Sequence, residues 1–266
     1  MRAAALQFDV LDDPQANLDA VELGLADAAR GGIELVVLPE MWPTSFPPAQ
    51  ADAESLLRVT EAANERARGL SAELDLCVVG SGFARARGGL VNRLRCFDRG
   101  AEILSYDKVH LFTPTAEGEC FQAGEDPPAT VDASIGKLSG AICYDLRFPE
   151  ILRVPFREGV ELLAICAQWP DTRAAHWRAL VIARAIENQC CVVACNRTGS
   201  AEIGRRRLRL DFPGNSLVVT PHGEVLAEGR GEAGLITADL DLDLGRRLRT
   251  RVPVLKDDRS DLYRGW

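Results

Sequence analysis

Short apolar runs, each closed by a Gly, a Pro or a charged residue, alternate with stretches of helical period along the whole chain. That alternation restricts the fold to sheets covered by helices. Residues 3–8 read as a strand. Residues 15–30 read as an amphipathic helix, with Leu18, Val21, Leu25 and Ala28 at helical spacing, Pro14 at its start and Gly31-Gly32 past its end. Residues 33–38 are apolar on both faces, as in a strand covered on both sides. A long Ala/Glu/Arg-rich helix is expected over 53–74. Strands at 77–83, 91–97 and 102–106 follow, broken by Arg87-Gly88-Gly89 and Asp98-Arg99-Gly100. Residues 113–129 show little periodicity and read as a long loop. A strand at 138–143, a helix over 146–158, a strand at 162–166, a helix over 172–189 and a strand at 190–196 come next. Residues 216–220, 225–228 and 235–239 look like a β-meander, and 241–250 like a short helix. No linker or repeat divides residues 1–266, so one α/β domain with mixed sheets is expected. The tail, 251–266, carries Tyr263 and Trp266 and is expected to pack on the body or on a partner subunit.

The formal net charge of −8 argues against non-specific binding to nucleic acid or to an anionic membrane. The one basic run, Arg205-Arg206-Arg207-Leu208-Arg209, reads as a solvated loop, or as a patch near a site that attracts acidic substrates. Met1–Asp9 does not resemble a signal peptide, and no stretch nears the roughly 18 apolar residues that span a bilayer. A soluble cytoplasmic protein is expected. Eight cysteines mostly fall in strand-like runs, where a free thiol is a small buried hydrophobe. They form no CxxC pair, and His110, His176 and His222 are widely spread, so neither a metal site nor a disulfide framework is expected.

Three apolar runs end in a reactive side chain: residues 35–39 at Glu40, 103–107 at Lys108 and 138–142 at Cys143. In open α/β sheets ligands bind at the carboxyl ends of strands, so the three are expected at one end of a sheet. A thiol attacks a carbonyl or nitrile carbon as its thiolate and needs a base. A carboxylate takes the proton and returns it to a leaving amine. An ammonium holds the oxyanion that develops, and the backbone N–H of Tyr144 is a second candidate donor. The residues alone leave two readings open: acyl transfer through a thioester, or a solvated Glu40, a surface Lys108 and an inert core thiol in a non-catalytic binding protein.

Several segments together resemble the nitrilase superfamily, the carbon–nitrogen hydrolases. They are Leu38-Pro39-Glu40-Met41, Tyr106-Asp107-Lys108-Val109-His110-Leu111-Phe112, Ile142-Cys143-Tyr144-Asp145-Leu146-Arg147-Phe148-Pro149-Glu150, His176-Trp177 with Ala183-Arg184-Ala185-Ile186-Glu187-Asn188-Gln189, Asn196-Arg197-Thr198-Gly199, and Pro253-Val254-Leu255 with Asp261-Leu262-Tyr263. The resemblance implies an α-β-β-α four-layer sandwich, homodimers or larger assemblies, and no cofactor or metal. It implies Glu40 as general base, Lys108 as oxyanion stabiliser and Cys143 as nucleophile. A second glutamate in the long loop maps to Glu117, with Glu119 as the alternative. The branch resembled most is omega-amidase-like, acting on the amides of keto or dicarboxylic acid monoamides such as 2-oxoglutaramate. Deaminated-glutathione amidase and aliphatic nitrilase are the alternatives. The chain departs from the family pattern at Gln168, where omega-amidase-like members have Asn, and at Ser45, where the family often has Gly. The extra methylene at Gln168 bears on the pocket wall, and both departures bear on substrate identity rather than on the triad. Trp169 is expected at the mouth of the site. Arg173 either clamps a substrate carboxylate or pairs with a helix acid. His176 and Trp177 either join the pocket or pack inside.

Overall fold

The structure is a computed structural model describing residues 1–46, 52–204 and 207–263. Strands β1 (Arg2–Gln7), β2 (Leu35–Val37), β3 (Cys77–Ala86), β4 (Gly89–Asp98) and β5 (Ala101–Asp107) form the first sheet. The second takes β6 (Val131–Ala133), β7 (Gly136–Ile142), β8 (Leu162–Ala167) and β9 (Cys191–Asn196). A separate hairpin, β10 (Thr198–Ile203) and β11 (Leu208–Pro213), precedes β12 (Leu217–Val219), β13 (Val225–Glu228) and β14 (Gly234–Asp239). The orders are β14-β1-β2-β3-β4-β5 and β13-β12-β9-β8-β7-β6. Each sheet has a parallel centre, β1-β2-β3 or β7-β8-β9, flanked by antiparallel strands. Among the described residues no helix is long and apolar enough to cross a membrane.

Helices α1 (Pro14–Arg30) and α2 (Ala53–Glu73) cover the first sheet. Asp13 starts α1 by accepting hydrogen bonds from the free N–H groups of Gln15 and Ala16, and Asp52 starts α2 in the same way through Glu54. Strand alternation then sorts the side chains. Ala4, Leu6, Val36 and Val78 meet Val21, Leu25, Ala63 and Ala67 of the helices. Ala3, Ala5, Leu35, Val37 and Val79 face the second sheet. On the far side α3 (Pro149–Arg157) and α4 (Ala174–Asn188) cover β7, β8 and β9, and Trp177, Val181 and Ala185 pack on that outer face in a cluster continuous with the core between the sheets. The layers are therefore α-β-β-α. The sheets approach closely where Gly140 of β7 faces Leu94 of β4: a Cβ at 140 would lie 2.8 Å from Leu94. Three residues later β7 delivers Cys143.

The chain differs from expectation in several places. The helix expected over 146–158 is two elements, a 3₁₀ turn at Cys143–Arg147 and then α3, because Pro149 starts a helix and does not continue one. The last three strands are not one meander. β12 and β13 extend the second sheet, whereas β14 crosses to the first and pairs with β1, covering its open edge. The basic run is not a loop throughout. Leu208 and Arg209 lie in β11, Arg207 and Arg209 have the acid partners Glu202 and Asp211, and Arg205-Arg206 lie outside the described residues. The tail continues from α5 (Asp243–Arg251) into α6 (Val254–Asp257) and α7 (Ser260–Tyr263). It touches the body through Arg157–Asp258 and through Gln189, which donates to the Val252 carbonyl; Trp266 lies outside the described residues.

Candidate active site

The three reactive strand ends come from two sheets, not one. Glu40 follows β2, Lys108 follows β5 and Cys143 follows β7. Two antiparallel steps, β3 to β4 and β4 to β5, restore the direction of β2 in β5, so both strands deliver their carboxyl ends to the same edge. The second sheet brings Cys143 across the seam. The Lys108 Nζ donates to Glu40 Oε1 at 2.7 Å and to both oxygens of Glu117 at 2.8 and 2.9 Å. The Cys143 thiol is electrostatically coupled to the Glu40 carboxylate and lies 3.8 Å from the Gln168 carbonyl. Cys143 has a φ of +45°, a left-handed conformation that a cysteine rarely holds without reason. It sits on the first turn after the strand, where a nucleophile is lifted off the sheet.

Of the two loop glutamates, Glu117 is the one that meets Lys108. Glu117 is buried, holds Lys108, and accepts from the Phe112 N–H at 2.6 Å; Glu119 is exposed. In a 3₁₀ turn two residues two apart point to different sides, so only one of them faces Lys108.

Asn92, in the middle of β4, was invisible as a motif. Its Nδ2 donates to Glu40 Oε1 at 2.9 Å, and its carbonyl accepts from the Lys108 N–H. The signal for it was a polar residue between the core positions Val91 and Leu94. The Gln168 N–H donates to Glu40 Oε2 at 3.0 Å. Glu40 thus meets donors on both oxygens.

Burial drives the electrostatics. Desolvation pushes Glu40 above the ordinary carboxylate range, with Lys108 pulling it back and Glu117 adding to the rise. Desolvation, then the Glu40 charge, raises the Cys143 thiol well above its ordinary value. Lys108 is lifted well above the ordinary lysine range: its two carboxylate neighbours outweigh the desolvation that opposes them. The resting thiol is therefore neutral. Buried ion pairs of this kind are often replaceable by apolar residues with a gain of about 1–4 kcal/mol, so stability does not account for the cluster.

The cluster floors a cleft of about 450 Å³ with mostly apolar walls, among them Phe46, Phe112, Tyr144, Trp169, Ile203 and Leu210. Tyr144, Trp169 and Arg173, all singled out by sequence, line it. The Trp169 Nε1 donates to the Arg173 carbonyl at 2.9 Å. The Arg173 guanidinium lies 5.7 Å from the Phe112 ring and is paired with no carboxylate among the described residues. Arg147, which the sequence did not single out, lies over Trp169 at 4.7 Å and is likewise without an acid partner among them. Trp177 packs in the core, and exposed His176 meets Arg147 through Nδ1. Gln168 lines the cleft, but its carboxamide turns inward to Glu40 and Arg197. Among the described residues no three His, Cys, Asp or Glu side chains are grouped to hold a metal ion.

A covered two-sheet sandwich with thiol, carboxylate and ammonium gathered on one cleft is an arrangement suited to hydrolysis of carbon–nitrogen bonds. The model of the family described as "Carbon-nitrogen hydrolase" matches residues 2–250, and the chain belongs to that family. It is 37% identical over 271 residues to the 2-oxoglutaramate amidase of Bacillus subtilis (strain 168), covering 98% of each chain. It is 35% identical over 246 residues to the omega-amidase YafV of Yersinia enterocolitica, covering 92% of this chain and 91% of that one. The solved NitN amidase from Nesterenkonia sp. AN1 superposes with a TM-score of 0.86 at 30% identity, covering 100% of this chain and 99% of that one. A Glu→Gln variant of that amidase shows the result of Michael addition of acrylamide at its active-site cysteine.

Proposed function

We propose that this chain is a thiol amidohydrolase of the omega-amidase type, releasing ammonia from a monoamide of a dicarboxylic or 2-oxo dicarboxylic acid such as 2-oxoglutaramate. The observation that carries the reading is the convergence of Cys143, Glu40 and Lys108 on the lining of one cleft, with Lys108 bonded to Glu40 at 2.7 Å. Glu40 takes the thiol proton as the sulfur bonds to the amide carbon. The carbonyl electron pair moves to oxygen, where the Lys108 ammonium and the Tyr144 N–H stabilise it. The adduct collapses, the C–N bond breaks, and Glu40 returns the proton to the departing ammonia. Water then attacks the thioester, giving its proton to Glu40. The C–S bond breaks, the acid leaves, and the thiol recovers its proton. Glu117 orients Lys108: it engages the ammonium with both oxygens while Glu40 takes another N–H, which directs the third at the substrate.

The two guanidiniums that have no acid partner among the described residues support an anionic substrate. Arg147 and Arg173 stand on the wall of a cleft otherwise apolar enough to strengthen an ion pair. Replacing either by Gln is expected to raise KM for succinamate about tenfold more than KM for butyramide, since a charge-assisted hydrogen bond is worth about 1.5–3 kcal/mol. Equal effects on both amides in steady-state assays would remove the carboxylate clamp.

The decisive test incubates the protein with 2-oxoglutaramate, succinamate and simple nitriles, measuring ammonia while mass spectrometry follows Cys143. The reading requires ammonia from the monoamides and an acyl adduct on Cys143 during turnover; turnover without that adduct defeats it. The pH profile is a second check. The mechanism needs Glu40 ionised and the thiol protonated, so kcat/KM falls as pH drops through the raised Glu40 pKa, above the ordinary carboxylate range. No rise is expected as pH passes the ordinary thiol range, because Cys143 stays protonated there.

The same reading includes one domain over the whole chain, a homodimer or larger homo-oligomer, and a cytoplasmic location. Exposed Ile186, Val252 and Leu255 support the assembly, and eight free thiols suit a reducing compartment. A monomer in sedimentation, or recovery from an oxidising compartment on fractionation, would remove those two parts.

A further inference from the structure

The two departures from the family pattern, Ser45 and Gln168, meet on one guanidinium. Arg197 follows β9 and is fully buried. Its Nη2 reaches Asp9 at 2.6 Å, and its Nη1 is shared between Gln168 Oε1 at 3.0 Å and Ser45 Oγ at 3.2 Å. The other end of the same carboxamide, Gln168 Nε2, donates to the Glu40 carbonyl at 2.8 Å. The Gln168 backbone completes the grip: its N–H holds Glu40 Oε2, and its carbonyl lies against the Cys143 sulfur. One residue therefore binds Glu40 by main chain and side chain and also touches the thiol. Ser45 closes the turn that Met41 opens immediately after Glu40, its N–H donating to the Met41 carbonyl. Arg197 ties that turn, the end of β8 and the end of β9 into one unit.

We propose that Gln168, braced by Arg197 and Ser45, is the positioning residue that fixes the Glu40 carboxylate against Cys143. The proposal rests on the reading of Glu40 as base and Cys143 as nucleophile. Its physical basis is reach. Both ends of the carboxamide are in use, and removing one methylene shortens the arm by about 1.5 Å, one C–C bond. An asparagine then spans to Glu40 or to Arg197, not to both. The freed guanidinium N–H is buried and must find another acceptor, which shifts the turn that carries Glu40. A misplacement of about 1 Å in such a constellation lowers the rate about 10²-fold.

The test compares Gln168→Asn, Gln168→Met, which keeps the length but not the polar ends, and Ser45→Gly. Glycine suits the positive φ of residue 45, so that variant removes the hydroxyl acceptor without backbone strain. Both Gln168 variants are expected to lose about 10²-fold in kcat with KM within about threefold, because substrate binding is spared and transition-state geometry is not. Their acid limb is expected to move to higher pH, since a loosened Gln168 N–H stabilises the Glu40 anion less. Ser45→Gly is expected to lose about tenfold, with a limb shift in the same direction. It is expected to be non-additive with Gln168→Asn, because both act on the same Nη1. Where a Gln168 variant does not fold, Ser45→Gly alone decides. An acid limb and kcat like those of the wild type, with only the thermal midpoint lowered, would overturn the proposal and leave a structural tie. Failure of the underlying reading is distinguishable: the wild-type protein would then form no acyl adduct on Cys143.

Discussion

Cys143→Ala is expected to fold, to bind an amide and to release no ammonia above background. Removing a nucleophile that acts in concert with its base costs on the order of 10⁶-fold in kcat. The stability should barely move. The thiol is held neutral by burial and by the Glu40 charge, so its removal takes no charge from the cluster. Glu40 keeps three donors: the Lys108 ammonium, the Asn92 amide and the Gln168 N–H. The lost sulfur leaves a small gap beside an open cleft. At about 1 kcal/mol that lowers the melting temperature of a chain this long by roughly 2–4 °C. The left-handed conformation at 143 is neither relieved nor worsened, because alanine carries the same Cβ. The measurement pairs ammonia release with calorimetric titration of succinamate. A variant that binds and turns over like the wild type would mean that another group attacks the amide carbon. A variant that no longer binds would mean that the thiol shapes the pocket rather than the reaction.

How much of this was legible depends on the distance over which each residue's role is decided. Glu40, Lys108 and Cys143 each stand at the end of an apolar run, a local signal. That they meet follows from strand directions in two sheets, which no run reveals. Asn92 owes its place to register: it faces Glu40 only because Phe83 pairs with Asn92 across β3 and β4. Gln168 showed as a departure from the family pattern, yet which way its carboxamide points depends on Arg197, a neighbour in space from the next strand. The β10–β11 hairpin carried a period-two signal in Leu208, Leu210 and Phe212, and the density of arginines outweighs it when the stretch is read by composition. The destination of β14 is the least local feature. Its pairing with β1 joins the first strand to one far along the chain and answers the need to close an exposed sheet edge. Arg147 sits in the segment that follows Cys143, but its lack of an acid partner among the described residues is a property of the folded surroundings.

Lys108→Met is expected to abolish hydrolysis and to lower stability at neutral pH by about 3–5 kcal/mol, the usual consequence of removing one partner from a buried charge cluster. Methionine has nearly the length of lysine, so packing is largely kept. What changes is that Glu40 and Glu117, both buried, are left near each other with no cation between them. Activity falls for two separate reasons. On the proposed mechanism the oxyanion loses a donor worth about 10²–10³-fold. Glu40, the proposed base, loses the charge that held its pKa down, so desolvation and Glu117 raise it further and it is protonated over more of the working range, removing a contribution of about 10²–10⁴-fold. The pH dependence of stability carries the sign. A carboxyl whose folded pKa is raised favours the folded state below its unfolded pKa, and that advantage is lost as pH rises through the folded pKa. The variant is therefore least handicapped in mild acid, and the deficit grows toward alkaline pH. In the wild type the raised Lys108 pKa gives stability that persists through neutral pH and is lost only as pH rises above the ordinary lysine range. Urea denaturation of both proteins across pH measures the two slopes. Adding Glu117→Gln should recover part of the lost stability by removing one of the facing charges, and none of the activity. A Lys108→Met protein as stable as the wild type at neutral pH would show that the two carboxyls share a proton without the ammonium. One that still hydrolyses amides would take the oxyanion role away from Lys108.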